Sequence, residues 1–118
     1  MNFKFEKLDI WQKAMQMGEN INVLANNFPI EEKYNLSSQM RRAMDKIALN
    51  ISEGSIGQSK KEQRLFIGYA IRSLAESVTC LFKAKNRSYI DDETFLKHYE
   101  DFFNLMNMMV AFRKSIRS

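Results

Sequence analysis

The sequence predicts an all-α protein, an up-down-up-down four-helix bundle, on three observations. Apolar residues recur at three- and four-residue spacing through four long segments. One proline and four glycines punctuate the 118 residues, and the proline and two of the glycines fall at joints between those segments. No run of alternating β-branched residues supports a strand. Short connections then make chain neighbours antiparallel. The length suits one domain, residues 1–118, able to bury a core without disulfide or metal staples.

The first helix is expected over about 9–27. Ile10, Ala14, Met17, Ile21, Leu24 and Phe28 share one stripe there, with Trp11 and Met15 beside it. Pro29 ends it, because the ring lacks an N–H and pushes the preceding residue out of helical geometry. The second, over about 36–54, repeats Leu36, Met40, Met44, Ile47 and Ile51, with Asn35 or Ser37 as its cap.

The third, over about 60–87, opens on Ser59-Lys60-Lys61-Glu62, the form of a capping box in which hydroxyl and carboxylate each satisfy an orphaned backbone N–H. Ile67, Ile71, Leu74, Val78 and Leu81 form its stripe, flanked by small residues that permit close packing. Gly18 and Gly68 sit inside helical segments, where each costs about 1 kcal/mol relative to alanine unless a neighbour uses the space.

The fourth, over about 92–115, begins at Asp91, Asp92 and Glu93, acids suited to the positive end of a helix dipole. Phe95, His98, Phe102, Leu105, Met109, Phe112 and Ile116 follow, with Leu96, Tyr99, Phe103, Met106 and Val110 as a second stripe. Two stripes exceed the face that a single bundle helix buries. A residual apolar patch of that kind is normally covered by another subunit. A homo-oligomer is therefore expected, with Trp11, Phe102, Phe103, Met106, Met109 and Val110 as interface candidates; a central helix of a monomer is the competing reading.

The chemistry on offer is sparse. His98 is the single histidine and occupies an apolar heptad position, as a core or interface residue does. Cys80, the single cysteine, sits beside Val78 and Leu81 with no histidine nearby to activate it. No second Glu-x-x-His set accompanies the acids at 91–93, and the glycines of SEGSIGQSKKE lack phosphate-loop spacing. No metal, cofactor or enzymatic activity is expected. No apolar run reaches the roughly 20 residues of a membrane span, and no signal-peptide core opens the chain. A soluble cytoplasmic protein is expected.

Charge is more informative. The net charge is +4, but residues 33–72 hold eight Lys/Arg against three acids, while residues 1–32 carry −2. Arg41, Lys46, Lys60, Lys61, Arg64 and Arg72 are candidates for salt-dependent contacts to RNA or DNA phosphates. They read equally as a solvated face, in which Arg41 pairs with Asp45 at i,i+4. Arg42, Asn50, Glu53, Gly54 and Glu76 read instead as a structural polar network. Arg42 is placed to reach Glu76 across antiparallel helices, Asn50 to bond across helices or cap a loop, and Glu53 and Gly54 to fasten the turn.

The stretches FEKLDIWQKAM (5–15), YNLSSQMRRA (34–43), IALNISEG (47–54) and KKEQRLFIGYAIRSLAES (60–77) together resemble the family labelled S23 ribosomal protein, also called 23S rRNA intervening-sequence proteins. The resemblance covers nearly the whole chain. It implies a left-handed bundle assembled as a ring-like homopentamer. Some members are encoded within intervening sequences of large-subunit rRNA genes, and most have no known biochemical function. The family is similar to the accessory variability protein of diversity-generating retroelements, a basic pentameric barrel that binds nucleic acid and works with a reverse transcriptase. Arg41, Arg42, Asn50, Glu53, Gly54 and Glu76 fall on the family's recurrent polar positions. Lys46 stands where relatives commonly carry serine, and Arg72 where they often carry glycine; both departures add positive charge. Three functional classes follow: a nucleic-acid-binding oligomer, a scaffold that recruits a protein such as a polymerase, and, least supported, an enzyme.

Overall fold

The apolar stripes meet along a common axis. The computed structural model describes residues 1–117, with helices α1 (Asp9–Asn26), α2 (Leu36–Ser55), α3 (Lys60–Asn86) and α4 (Asp92–Ser115). Two 3-10 turns that periodicity does not reveal, Lys4–Lys7 and Ile30–Glu32, precede α1 and α2. The four helices form a bundle of 45 × 24 × 23 Å. Ile21, Met40, Ile47, Ile51, Ile67, Leu74, Leu81, Phe102, Leu105 and Met109 are almost wholly buried on its axis. Each such side chain contributes roughly 1.5–3 kcal/mol on leaving water.

The tightest seam is α2 against α3. A Cβ at Gly54 would stand 2.9 Å from Phe66 Cβ and 3.3 Å from the Gln63 carbonyl. Gly54 therefore lies in the last turn of α2 and lets two backbones approach, a packing role beside its place in the turn, where its carbonyl accepts from Gly57 N at 3.2 Å. Gly18 differs: nothing would meet its Cβ within 4 Å, so no neighbour uses the space.

Capping follows different partners from those the sequence suggests. Asn35 is the N-cap of α2, but its side chain accepts nothing from the helix. Glu32 does the work instead, its Oε1 accepting from Leu36 N at 3.3 Å and from Asn35 Nδ2 at 2.9 Å. Half of the α3 capping box forms: Ser59 Oγ accepts from Glu62 N at 3.0 Å, while the Glu62 carboxylate lies against Gly57. Asp91 caps α4 by accepting from Thr94 N at 2.8 Å, a bond that lowers its pKa.

One helix is more apolar on average than its interrupted runs suggest. α3 contains an 18-residue window of mean hydropathy 1.4, apolar enough by length and composition to cross a membrane, although Arg72 and Glu76 interrupt every long apolar run in it. In the bundle its apolar stripe is accounted for by the core, where Ile67, Ala70, Leu74 and Leu81 are buried.

The antiparallel order gives the bundle two unlike ends. One holds the α1–α2 and α3–α4 connections. The other holds the start of α1, the α2–α3 joint and the finish of α4.

Candidate nucleic-acid interface

At the joint end, Lys60, Lys61 and Arg64 leave the first turns of α3. The finish of α4 brings Arg113 and Lys114 to the same end, and Arg117 follows two residues after the helix. Two side-chain bonds lock this corner. Arg64 Nη1 donates to the Ile116 carbonyl at 3.2 Å, and Arg113 Nε donates to the Arg64 carbonyl at 3.0 Å. Lys4 and Lys7 add charge from the turn before α1, so eight cations stand against Glu6, Asp9, Glu53 and Glu62. The opposite end is close to balanced, with Lys33, Lys83, Lys85 and Arg87 against five acids at 31, 32 and 91–93. The basic character of the chain is thus concentrated at one end of the bundle.

The six cations read from sequence as one surface do not stay together. Arg41 and Lys46, five residues apart, point about 140° apart around α2. Arg41 turns toward α1, where Nη1 donates to Asn26 Oδ1 at 2.7 Å, so the expected pair with Asp45 is absent among the described residues. Lys46 turns toward α3 and pairs with Glu76 at 3.7 Å. Arg72 is exposed on α3, away from the joint. Only Lys60, Lys61 and Arg64 are brought together. Arg113, Lys114 and Arg117 complete that group, and sequence reading missed them because they lie some fifty residues away; their signal was a basic last helical turn.

The proposed polar network is also rearranged. Glu76 takes Lys46, not Arg42; the latter lies one turn away and farther around α2 from the α3 seam, and it is exposed. Asn50 bonds to its own helix, Nδ2 to the Lys46 carbonyl at 2.8 Å, and does not cross to α3. Glu53 is exposed and makes no side-chain hydrogen bond among the described residues.

The buried polar cluster lies elsewhere, at the connection end. Glu32 is only 6% exposed. Its Oε2 accepts from Tyr89 Oη at 2.6 Å and Arg87 Nη1 at 2.8 Å, residues more than fifty positions away. The tyrosine bond is the main reason its carboxyl titrates below the usual range, and the same bond raises the Tyr89 pKa. Ser88 positions the tyrosine: it takes a left-handed φ of 62°, and Tyr89 N then donates to the Ala84 carbonyl at 2.9 Å. This is the Schellman geometry that usually falls to glycine. An acid just before a helix was the only sequence signal of the cluster.

The oligomer candidates divide similarly. Phe102 and Met109 are wholly buried in the chain's own core and present nothing to a partner. Trp11 is half-buried against Phe5, ring centroids 5.2 Å apart. Phe103 remains 56% exposed, with Met106 and Val110 half-buried beside it. Phe103 ends an aromatic row with Phe82, Phe95 and Tyr99 along the α3–α4 face.

His98 and Cys80, the residues with most catalytic potential by type, stand apart from any metal group among the described residues. Among the described residues no group of three or more His, Cys, Asp or Glu side chains could hold a metal ion. Burial pushes the His98 imidazole pKa down and the Cys80 thiol pKa up, disfavouring the charged form of each.

These features define an all-helical bundle with a basic end. The chain belongs to the 23S rRNA-intervening sequence protein family, whose pattern matches residues 6–111. Its fold is similar to the crystal structure of a protein with unknown function from the S23 ribosomal protein family of Bacteroides thetaiotaomicron VPI-5482. The TM-score is 0.83 at 20% identity, covering 90% of this chain and 96% of that one. At that identity the likeness speaks for the fold. Comparison with curated proteins finds no match.

Proposed function

We propose that this protein is a cytoplasmic, non-enzymatic oligomer that binds the phosphate backbone of RNA or DNA through its basic end. The observation that carries the reading is the convergence of Lys60, Lys61 and Arg64 with Arg113, Lys114 and Arg117. Such a surface neutralises phosphates without reading base edges. The similarity of its family to a basic nucleic-acid-binding barrel, implied by the sequence resemblance, supports the same reading. A ring-like homopentamer, closed in part through Phe103 and its aromatic row, would repeat the basic end five times and raise avidity without new contacts.

Binding of structured RNA and duplex DNA is measured across a salt series. The expected result is an affinity falling steeply with salt and nearly indifferent to sequence; no binding at low salt overturns the reading. Native mass measurement tests the assembly, and a stable monomer excludes the ring. The exposed α3–α4 face favours a second reading, a scaffold that recruits a protein such as a polymerase. Loss of a co-purifying partner in Phe103→Asp, with nucleic-acid affinity of the protomer unchanged, would favour it.

A further inference from the structure

Arg64 and Arg113 form a more specific arrangement than a basic patch requires. Each is anchored by one hydrogen bond to a main-chain carbonyl, Arg64 to Ile116 and Arg113 to Arg64 itself. A guanidinium carries five N–H donors, so most on each side chain are left for another acceptor. Among the described residues neither has a carboxylate partner. The two open, with Lys61 and Ser59, on a concavity of about 460 Å³. Glu62, an acid of the same lining, has its carboxylate against Gly57 of the joint. Gly68 lies beside the arrangement: a Cβ there would stand 3.7 Å from Arg113 Nε and 3.9 Å from its Nη2, ordinary contact, so only a longer side chain would press on the guanidinium. Two like charges held together without a counter-ion among the described residues are stabilised by an anion whose geometry accepts bidentate forks.

We propose that the Arg64–Arg113 corner is a pocket for a single phosphate group, with Lys61 on its rim. The inference rests on the nucleic-acid reading where the phosphate belongs to a polynucleotide, and extends to a free phosphate. It makes geometry matter as well as charge.

Inorganic phosphate is titrated into the full chain in low-chloride buffer, by calorimetry and phosphorus NMR, and a short oligonucleotide without terminal phosphates is titrated separately. Phosphate is expected to bind with one site per chain. Arg113→Gln weakens it at least tenfold. Gly68→Leu, which removes no charge and introduces a better helix former, does the same by displacing the guanidinium. Gly68→Ala, whose Cβ fits at ordinary contact, changes it less than threefold. Helicity and melting temperature of each variant establish that it is folded. The proposal is overturned if phosphate does not bind, or if Gly68→Leu binds like the parent. Oligonucleotide binding without phosphate binding rejects the pocket and leaves the broader reading intact. Phosphate binding without oligonucleotide binding does the reverse, and assigns the pocket to free phosphate.

Discussion

The two ends of the bundle treat charge in opposite ways. At the connection end, Glu32 is buried and every strong contact it makes is satisfied, by Tyr89, Arg87, Asn35 and the start of α2. At the joint end, cations accumulate and the two best-anchored arginines bond to carbonyl groups, not to acids. Buried polar groups are costly unless fully paired, so the first arrangement specifies structure. Unmatched exposed charge adds little stability, and its physical consequence is a field that attracts anions. A charged residue in this molecule therefore tells little about its role until its end and its partner are known.

The contrast is broken most severely by removing charge at the joint end. The combined change Lys60→Gln, Lys61→Gln, Lys114→Gln and Arg117→Gln is expected to lower nucleic-acid affinity by about two orders of magnitude. It should also reduce the slope of log affinity against log salt by roughly one for each phosphate no longer neutralised. Melting temperature should hardly move, as a titration and a melt on the same sample will show.

Glu32→Gln should act in the opposite sense, with a clear fall in melting temperature at neutral pH and unchanged nucleic-acid affinity. Because the folded carboxyl titrates below its ordinary value, its stabilising contribution is present above that ordinary value near 4.5. It is lost as pH falls through the lower folded value. Denaturation midpoints from pH 7 to 3 should therefore show an acid loss in the parent that is reduced in Glu32→Gln.

A pair of glycine substitutions sharpens the comparison between packing and open surface. Gly54→Ala forces α2 and α3 apart at Phe66 and should cost about 1–3 kcal/mol in chemical denaturation. Gly18→Ala, with open space around it, should instead gain about 0.5–1 kcal/mol from helix propensity.

The sequence disclosed the helices because an apolar stripe repeats locally. Ile67, Leu74 and Leu81 declare their face whatever packs on them. Polar partners carry no such period. Arg42 and Lys46 both lie near the α3 side of α2, and a small difference in helical angle gives Glu76 to the lysine. The Glu32 cluster joins a turn near residue 32 to another near residue 88, and neither turn has periodicity to reveal it. Phe102 and Phe103 show the same limit: adjacent aromatic residues on two plausible stripes, one wholly buried and the other more than half exposed. Which stripe becomes core is decided by where α1 and α3 sit against α4.

The sequence separation of the Glu32 clasp also bears on how the chain folds. Most of the bundle is built from contacts between consecutive helices, which form across short loops and close quickly. The bond from Glu32 to Tyr89 spans 57 positions and joins the start of α2 to the finish of α3, so it rewards the chain only after that hairpin has closed from its joint to its open end. An interaction formed that late contributes little to the rate of folding and much to the barrier against unfolding. The clasp is thus expected to act as a latch on the closed α2–α3 hairpin, with Glu32→Gln speeding unfolding more than it slows folding.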